Sequence, residues 1–146
     1  MHVDNSAEQG QQGARFDAET LAAAAREREV ELTTFGRVTG RPARVTVWVW
    51  GDGQRLYLRS GGGMQRDWPQ NLLARGRGIL HLAGRDIPVR GRHVTDPAEA
   101  RAGNGMLNRK YHASFSPSPE GGPLSPAESA TFELTPDPTA EPRPRA

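Results

Sequence analysis

The strongest pattern in the chain is the alternation over residues 44–50, "RVTVWVW". Val45, Val47 and Val49 fall on one face, and Thr46, Trp48 and Trp50 on the other. This predicts a strand with apolar groups on both sides, covered twice, as in a barrel wall with a helix or second subunit outside. A weaker alternation precedes it over Glu29–Phe35, with Val30, Leu32 and Thr34 sharing a face. "GDG" at 51–53 signals a hairpin, and "QRLYLRS" (54–60) is the return strand. "ILHLAG" and "IPVRGRHV" read as a further hairpin joined at Gly84, with Pro88 putting its second strand at an edge or bulge. "SATFELTP" reads as a final strand.

Helical signals separate these strands. Asp17 is placed to cap an alanine-rich helix running to about Arg28, with Glu19 in the first turn. In "DWPQNLLARG", Asp67 can cap, Pro69 suits a first turn and Gly76 ends the helix. "TDPAEARAGNGMLNRKYHASF" opens on Asp96-Pro97 and reads as helix, with an interruption expected at "GNG". "SPSPEGGPLSP" reads as a loop. The order is helix, three strands, helix, two strands, helix, strand. It predicts a mainly β (α+β) fold: a six-stranded antiparallel barrel with two or three short covering helices.

Composition narrows the choice. The 146 residues hold one domain's worth of chain. Residues 1–16 read as a disordered tail, 17–135 as the barrel domain and 136–146 as a disordered Pro-rich tail. The absence of cysteine excludes disulfides, thiolate metal sites and a cysteine nucleophile. Neither a membrane-length apolar segment nor a secretory signal pattern is visible, so a cytoplasmic protein is expected.

The net charge of +2 hides an asymmetry: residues 33–94 carry eleven arginines against three aspartates. Such clustering points to an anionic ligand, either a phosphorylated small molecule or a nucleic acid. Nucleic acid is the weaker reading, because no aromatic residue interleaves with the arginines in a stacking motif. The histidines lie on separate elements without ligand spacing, so no metal site is expected. His81 alternates with Ile79 and Ala83 and reads as a packed or surface strand residue.

Three stretches carry possible chemistry. "GRVTGRPAR" (36–44) is either a solvated basic turn or an anion site in which glycine lets backbone N–H groups approach a phosphate while arginines clamp it. In Ser60–Asn71 the glycine triplet is either a plain flexible loop or one passing close to a planar ligand. Trp68 would then be a core anchor or an apolar wall, and Asn71 a partner for a ring heteroatom. Tyr111, near the end of the last helix, is either part of a helix terminus or a lid and proton donor.

The same residues resemble the deazaflavin-dependent nitroreductase-like family of the split β-barrel superfamily, which includes pyridoxamine-phosphate oxidases and other FMN-binding proteins. The resemblance runs over about residues 30–95: "LTTFGRVTGRPARVTVWVW", "LYLRSGGG", "DWPQNLLARG" and "LAGRDIPVRGRHVTDP". The layout with "RKY" after the last helix is closer still to an uncharacterised branch. The resemblance implies a split barrel, commonly homodimeric, with a deazaflavin coenzyme (F420 type) or FMN in a groove beside the first hairpin. It implies cofactor contacts from Arg37, Thr39, Gly40 and Arg41, with Arg44 next to them. It further implies contacts from Ser60, Gly61, Gly62, Trp68 and Asn71.

The chemistry so implied is hydride transfer to a small electron-poor organic substrate by an oxidoreductase. Tyr111 and Ser60 are the expected proton donors, with Tyr57 a third. A non-catalytic cofactor- or small-molecule-binding protein is the alternative. The sequence departs from the family at Val38 and Gly61, where many members carry lysines, and Arg66 can replace one of those charges.

Overall fold

The computed structural model describes residues 15–138 together with 143–144. The expected tails fall mostly outside that range, although Phe16 is packed into the core.

Helix α1 (Ala18–Arg26) starts where the sequence places it, with the Asp17 carboxylate accepting from the Thr20 N–H at 2.8 Å. Strand β1 (Val30–Phe35) pairs antiparallel with β2 (Pro42–Val47) around the hairpin at 36–41. β3 (Val49–Gly51) pairs with β4 (Leu56–Arg59), and α2 (Asp67–Arg75) follows. β5 (Arg77–Leu82) and β6 (Arg85–His93) form the next hairpin. Then come α3 (Pro97–Tyr111), β7 (Thr131–Pro136) and the short β8 (Arg143–Pro144). The strand path is β2-β1-β5-β6-β7-β4-β3, with β8 on β6.

The two ends of that path are one stretch of chain. The predicted strand 44–50 is broken at Trp48: its first half bonds to β1 and its second to β4. This bend wraps the sheet into a barrel whose ladder is split there, and it accounts for one of the two strands beyond the predicted six, the other being β8. The alternation itself holds across the break. Val47 and Val49 enter the barrel core with Leu32, Leu58, Leu80 and Phe132. Trp50 and Trp48 face a second cluster with Tyr57, Leu107 and Tyr111, under α3. Each fully buried leucine or phenylalanine contributes about 1.5–3 kcal/mol of transfer free energy.

Pro88 lies inside β6, where that strand's second neighbour changes from β7 to β8, so its missing N–H interrupts no ladder. α2 ends at Gly76 in the left-handed conformation (φ 72°), as read from the sequence. Its N-cap is Arg66 rather than Asp67, which sits in the first turn. The expected interruption of α3 does not occur, and the helix runs unbroken through "GNG". Gly103 is there for packing: a Cβ at this position would meet Arg59 Nη2 at 2.7 Å and Trp50 at 3.2 Å. Among the described residues, no helix is long and apolar enough to cross a membrane.

Candidate functional site

The chain's three tryptophans, Trp48, Trp50 and Trp68, line a single cleft of about 730 Å³. Trp48 and Trp50 come from the bend that splits the barrel, and Trp68 from the first turn of α2. Ser60, Gly61 and Gly62 add the loop after β4, and α3 closes the wall with Asn104 and Leu107. Arg59 and Arg66 bring positive charge.

The loop is fixed by its backbone. Ser60 donates its N–H to the Ala130 carbonyl at 3.1 Å and accepts from the Gly63 N–H at 3.0 Å. At Gly61 the place a Cβ would occupy is open space, so a ligand can approach the main chain. Arg66 folds back over Gly62, with its Nε 2.6 Å from where a Cβ would stand. Among the described residues Arg66 has no acidic partner.

Arg59 is held more firmly. Nε donates to Thr131 Oγ1 at 2.8 Å, Nη1 to Asn104 Oδ1 at 3.0 Å and Nη2 to the Ala100 carbonyl at 2.8 Å. Asn104 in turn donates to Glu128 Oε2 at 2.8 Å. Glu128 is 1% exposed. Burial pushes its pKa up, but hydrogen bonds from Ser118, Ser125 and Asn104 outweigh that and bring it down to about 2. This network was missed in the sequence. Its readable signal is Ser125-x-x-Glu128, a capping box in which Ser125 Oγ accepts from the Glu128 N–H and Glu128 Oε1 from the Ser125 N–H.

The expected site residues divide into two groups. Ser60, Gly61, Gly62 and Trp68 meet in the cleft. Arg37, Thr39, Gly40, Arg41 and Asn71 do not line it. They build the joint between the first hairpin and α2, one helical turn along from Trp68. Asn71 Oδ1 accepts from the Arg37 N–H and Nη1, and Arg37 Nη2 reaches Asp67 at 3.3 Å. Arg75, also on α2, donates Nε and Nη2 to the Gly36 carbonyl. Thr39 Oγ1 accepts from the Arg41 N–H, and Gly40 takes φ 76° at the turn. Arg44 pairs with Glu31. Arg41 is the motif's remaining exposed arginine and has no ion-pair partner among the described residues. Val38, at the tip, is 88% exposed.

Tyr111 does not line the cleft either. Its hydroxyl donates to the Arg28 and Val49 carbonyls at 2.5 and 3.2 Å, its ring stacks on Trp48, and burial pushes its pKa up to about 12. Beside it Lys110 Nζ donates to the Ala24 and Val49 carbonyls, with burial pulling its pKa down to about 8. Both residues clip the end of α3 to α1 and β3. Tyr57 gives its hydroxyl to Glu99 at 3.0 Å. His81 is buried between Thr33 Oγ1 at 2.7 Å and Asp86 Oδ1 at 2.8 Å, a cross-strand clamp of the packed kind expected. Among the described residues no group of three or more histidine or acidic side chains gathers to hold a metal.

Residues 20–134 match the family described as "Uncharacterized protein conserved in bacteria (DUF2255)". No curated protein matches the sequence. Among solved structures, the chain is similar to a candidate 5-nitroimidazole antibiotic resistance protein from Bacteroides thetaiotaomicron. There the TM-score is 0.58 and identity 15%, over 83% of this chain and 79% of that one. It is also similar to an F420 reductase, with TM-score 0.52 and 19% identity over 90% and 97% of the two chains. A conserved hypothetical protein from Mycobacterium tuberculosis aligns with TM-score 0.52 and 16% identity over 82% and 78%. At these identities the likeness is one of fold. It bears out the antiparallel split-barrel fold read from the sequence.

Proposed function

The chain belongs to the bacterial DUF2255 family, and we propose that its tryptophan-lined cleft binds a flavin-type cofactor, a deazaflavin or FMN, for an oxidoreductase reaction. The observation that carries this reading is the gathering of all three tryptophans around an open glycine backbone and an Arg66 with no acidic partner among the described residues. Indole faces suit a planar heteroaromatic ring, the open main chain at Gly61 allows close approach, and Arg66 suits an anionic tail. The volume lies in the range of small-molecule sites. Two neighbours in fold, named for F420 reduction and nitroimidazole resistance, agree with it.

When bound, such a cofactor supplies hydride chemistry toward an electron-poor organic substrate. The protein's part is to orient and to exclude water. Trp48 and Trp68 would offer indole surface to the ring, Ser60 its hydroxyl at the loop, and Arg66 would hold the tail. Arg41 is the hairpin residue free to meet the same anion. Arg37, Thr39, Gly40 and Asn71 act by setting the hairpin against α2. Tyr111 holds the wall through Trp48 and is not the proton donor. A homodimer, as the family resemblance implies, extends the proposal.

One observation favours a second reading, a binding protein without catalysis: Arg37, Arg44 and Arg75 are all engaged within the chain, leaving few cations for a long acidic tail. Purification from a host that makes deazaflavins separates the two. The oxidoreductase reading expects a co-purifying chromophore with flavin or deazaflavin absorbance and mass, reducible and able to pass its electrons to a nitroaromatic probe. A colourless protein that also fails to take up either added cofactor rejects both cofactor readings.

A further inference from the structure

We propose that Arg59 is a ligand-recognition residue that anchors a planar carboxylate of the substrate inside the tryptophan-lined cleft. The inference rests on reading that cleft as the binding site, and it names the substrate class: small conjugated or aromatic acids.

Arg59 is the last residue of β4 and lines the cleft. Each of its three nitrogens makes one hydrogen bond, to Thr131, Asn104 and Ala100. A guanidinium has five N–H groups, so two lack an acceptor among the described residues. All three partners are neutral, and the charge is therefore not cancelled by contact. The carboxylate of the buried acid in the network, Glu128, is reached through the Asn104 amide, while Thr131 donates to the neutral Glu128 main-chain carbonyl. The guanidinium carbon lies 5.3 Å from the Trp50 ring centroid, which limits its tilt.

This is a fixed, desolvated cation with spare donors, and its planar donors match a carboxylate. A neighbouring donor has the same need: Trp50 Nε1 is buried without an acceptor among the described residues, on a residue that lines the same cleft. The missing side chain at Gly103 leaves room for the guanidinium to lie where it does. Arg66 differs in every respect, being exposed, at the loop, and free to follow a long tail. The two arginines therefore divide the anions, Arg66 taking the cofactor's and Arg59 the substrate's.

The three tryptophans make the cleft its own reporter. Their fluorescence is titrated with benzoate and with its neutral isostere benzamide, in free protein and in protein saturated with FMN or deazaflavin. Benzoate is expected to bind roughly tenfold or more tighter than benzamide, and to keep that preference with cofactor bound. Arg59→Gln should abolish the preference while cofactor affinity stays within about threefold, and Arg59→Lys should restore part of it. The comparison in the wild-type protein needs no variant to fold. Equal affinity for the two probes overturns the proposal. So does displacement of benzoate by cofactor, which would make Arg59 a cofactor ligand. Benzoate preference in a protein that binds neither cofactor upholds the anion anchor and rejects the cofactor reading instead.

Discussion

Asn71 Oδ1 receives two hydrogen bonds from one residue, Arg37, whose backbone N–H lies at 3.1 Å and Nη1 at 2.8 Å. A side chain that the sequence offers to a ring heteroatom is thus committed to the hairpin, and a guanidinium offered to a phosphate is committed to the helix. Asn71→Ala leaves the Arg37 N–H without its acceptor and should cost about 1–3 kcal/mol. Urea denaturation measures this. FMN or deazaflavin affinity, measured on the folded variant, should change by less than about threefold. Arg66→Ala is expected to show the reverse pattern, with little effect on stability and a loss of affinity.

Tyr111→Phe separates a clip from a proton donor. The hydroxyl bonds to two carbonyls and does not enter the cleft, so its loss should destabilise the protein by about 1 kcal/mol and leave electron transfer to a nitroaromatic probe unchanged. The pH dependence has a fixed sign. A phenol raised from 10.0 to about 12 gives stability that is complete below pH 10 and falls as pH rises through 12. Tyr111→Phe should flatten that alkaline decline, read from thermal midpoints at fixed pH.

Glu128 works at the other end of the scale. Its carboxyl is lowered from 4.5 to about 2, so its contribution is present above pH 4.5 and is lost as pH falls toward 2. Glu128→Gln places an amide donor where the Ser118 and Ser125 N–H groups and the Asn104 amide need acceptors. It should cost about 1–3 kcal/mol and weaken the acid limb of the stability curve. Through Asn104 it should also loosen Arg59, reducing the preference for benzoate over benzamide without moving FMN affinity.

Gly103→Ala tests whether the "GNG" of α3 is a packing device. Replacing a helical glycine gains about 1 kcal/mol in helix propensity, yet the new methyl group would stand 2.7 Å from Arg59 Nη2. Far-ultraviolet circular dichroism should keep its helical signal, and the tryptophan emission spectrum should shift as Arg59 moves off Trp50.

These residues also mark where the sequence was readable. Local rules with a single solution were legible: the Asp17 and Asp96 caps, the Gly76 stop, and the valine–tryptophan alternation from 45 to 50. The break at Trp48 was not, because alternation records which side a residue faces and not which partner strand it pairs with. "GNG" was misread because a glycine pair in a helix has the same local signature whether it breaks the helix or admits a neighbour. Of the candidate cleft, Ser60–Gly62 was legible as a loop, and Trp68, read as core anchor or apolar wall, both packs on the core and lines the cleft. Arg59 was hidden in "LYLRS", since its role depends on Asn104 and Glu128, distant in sequence and close only after folding.

The most direct test is quenching of intrinsic tryptophan fluorescence by FMN and by oxidised and reduced deazaflavin, since every tryptophan lines the cleft. The expected result is saturable quenching by at least one of them with a dissociation constant of roughly 10 μM or below, weakened about tenfold or more by Arg66→Ala. Emission that stays unquenched by all of them after inner-filter correction would contradict the cleft's role as a flavin-type site.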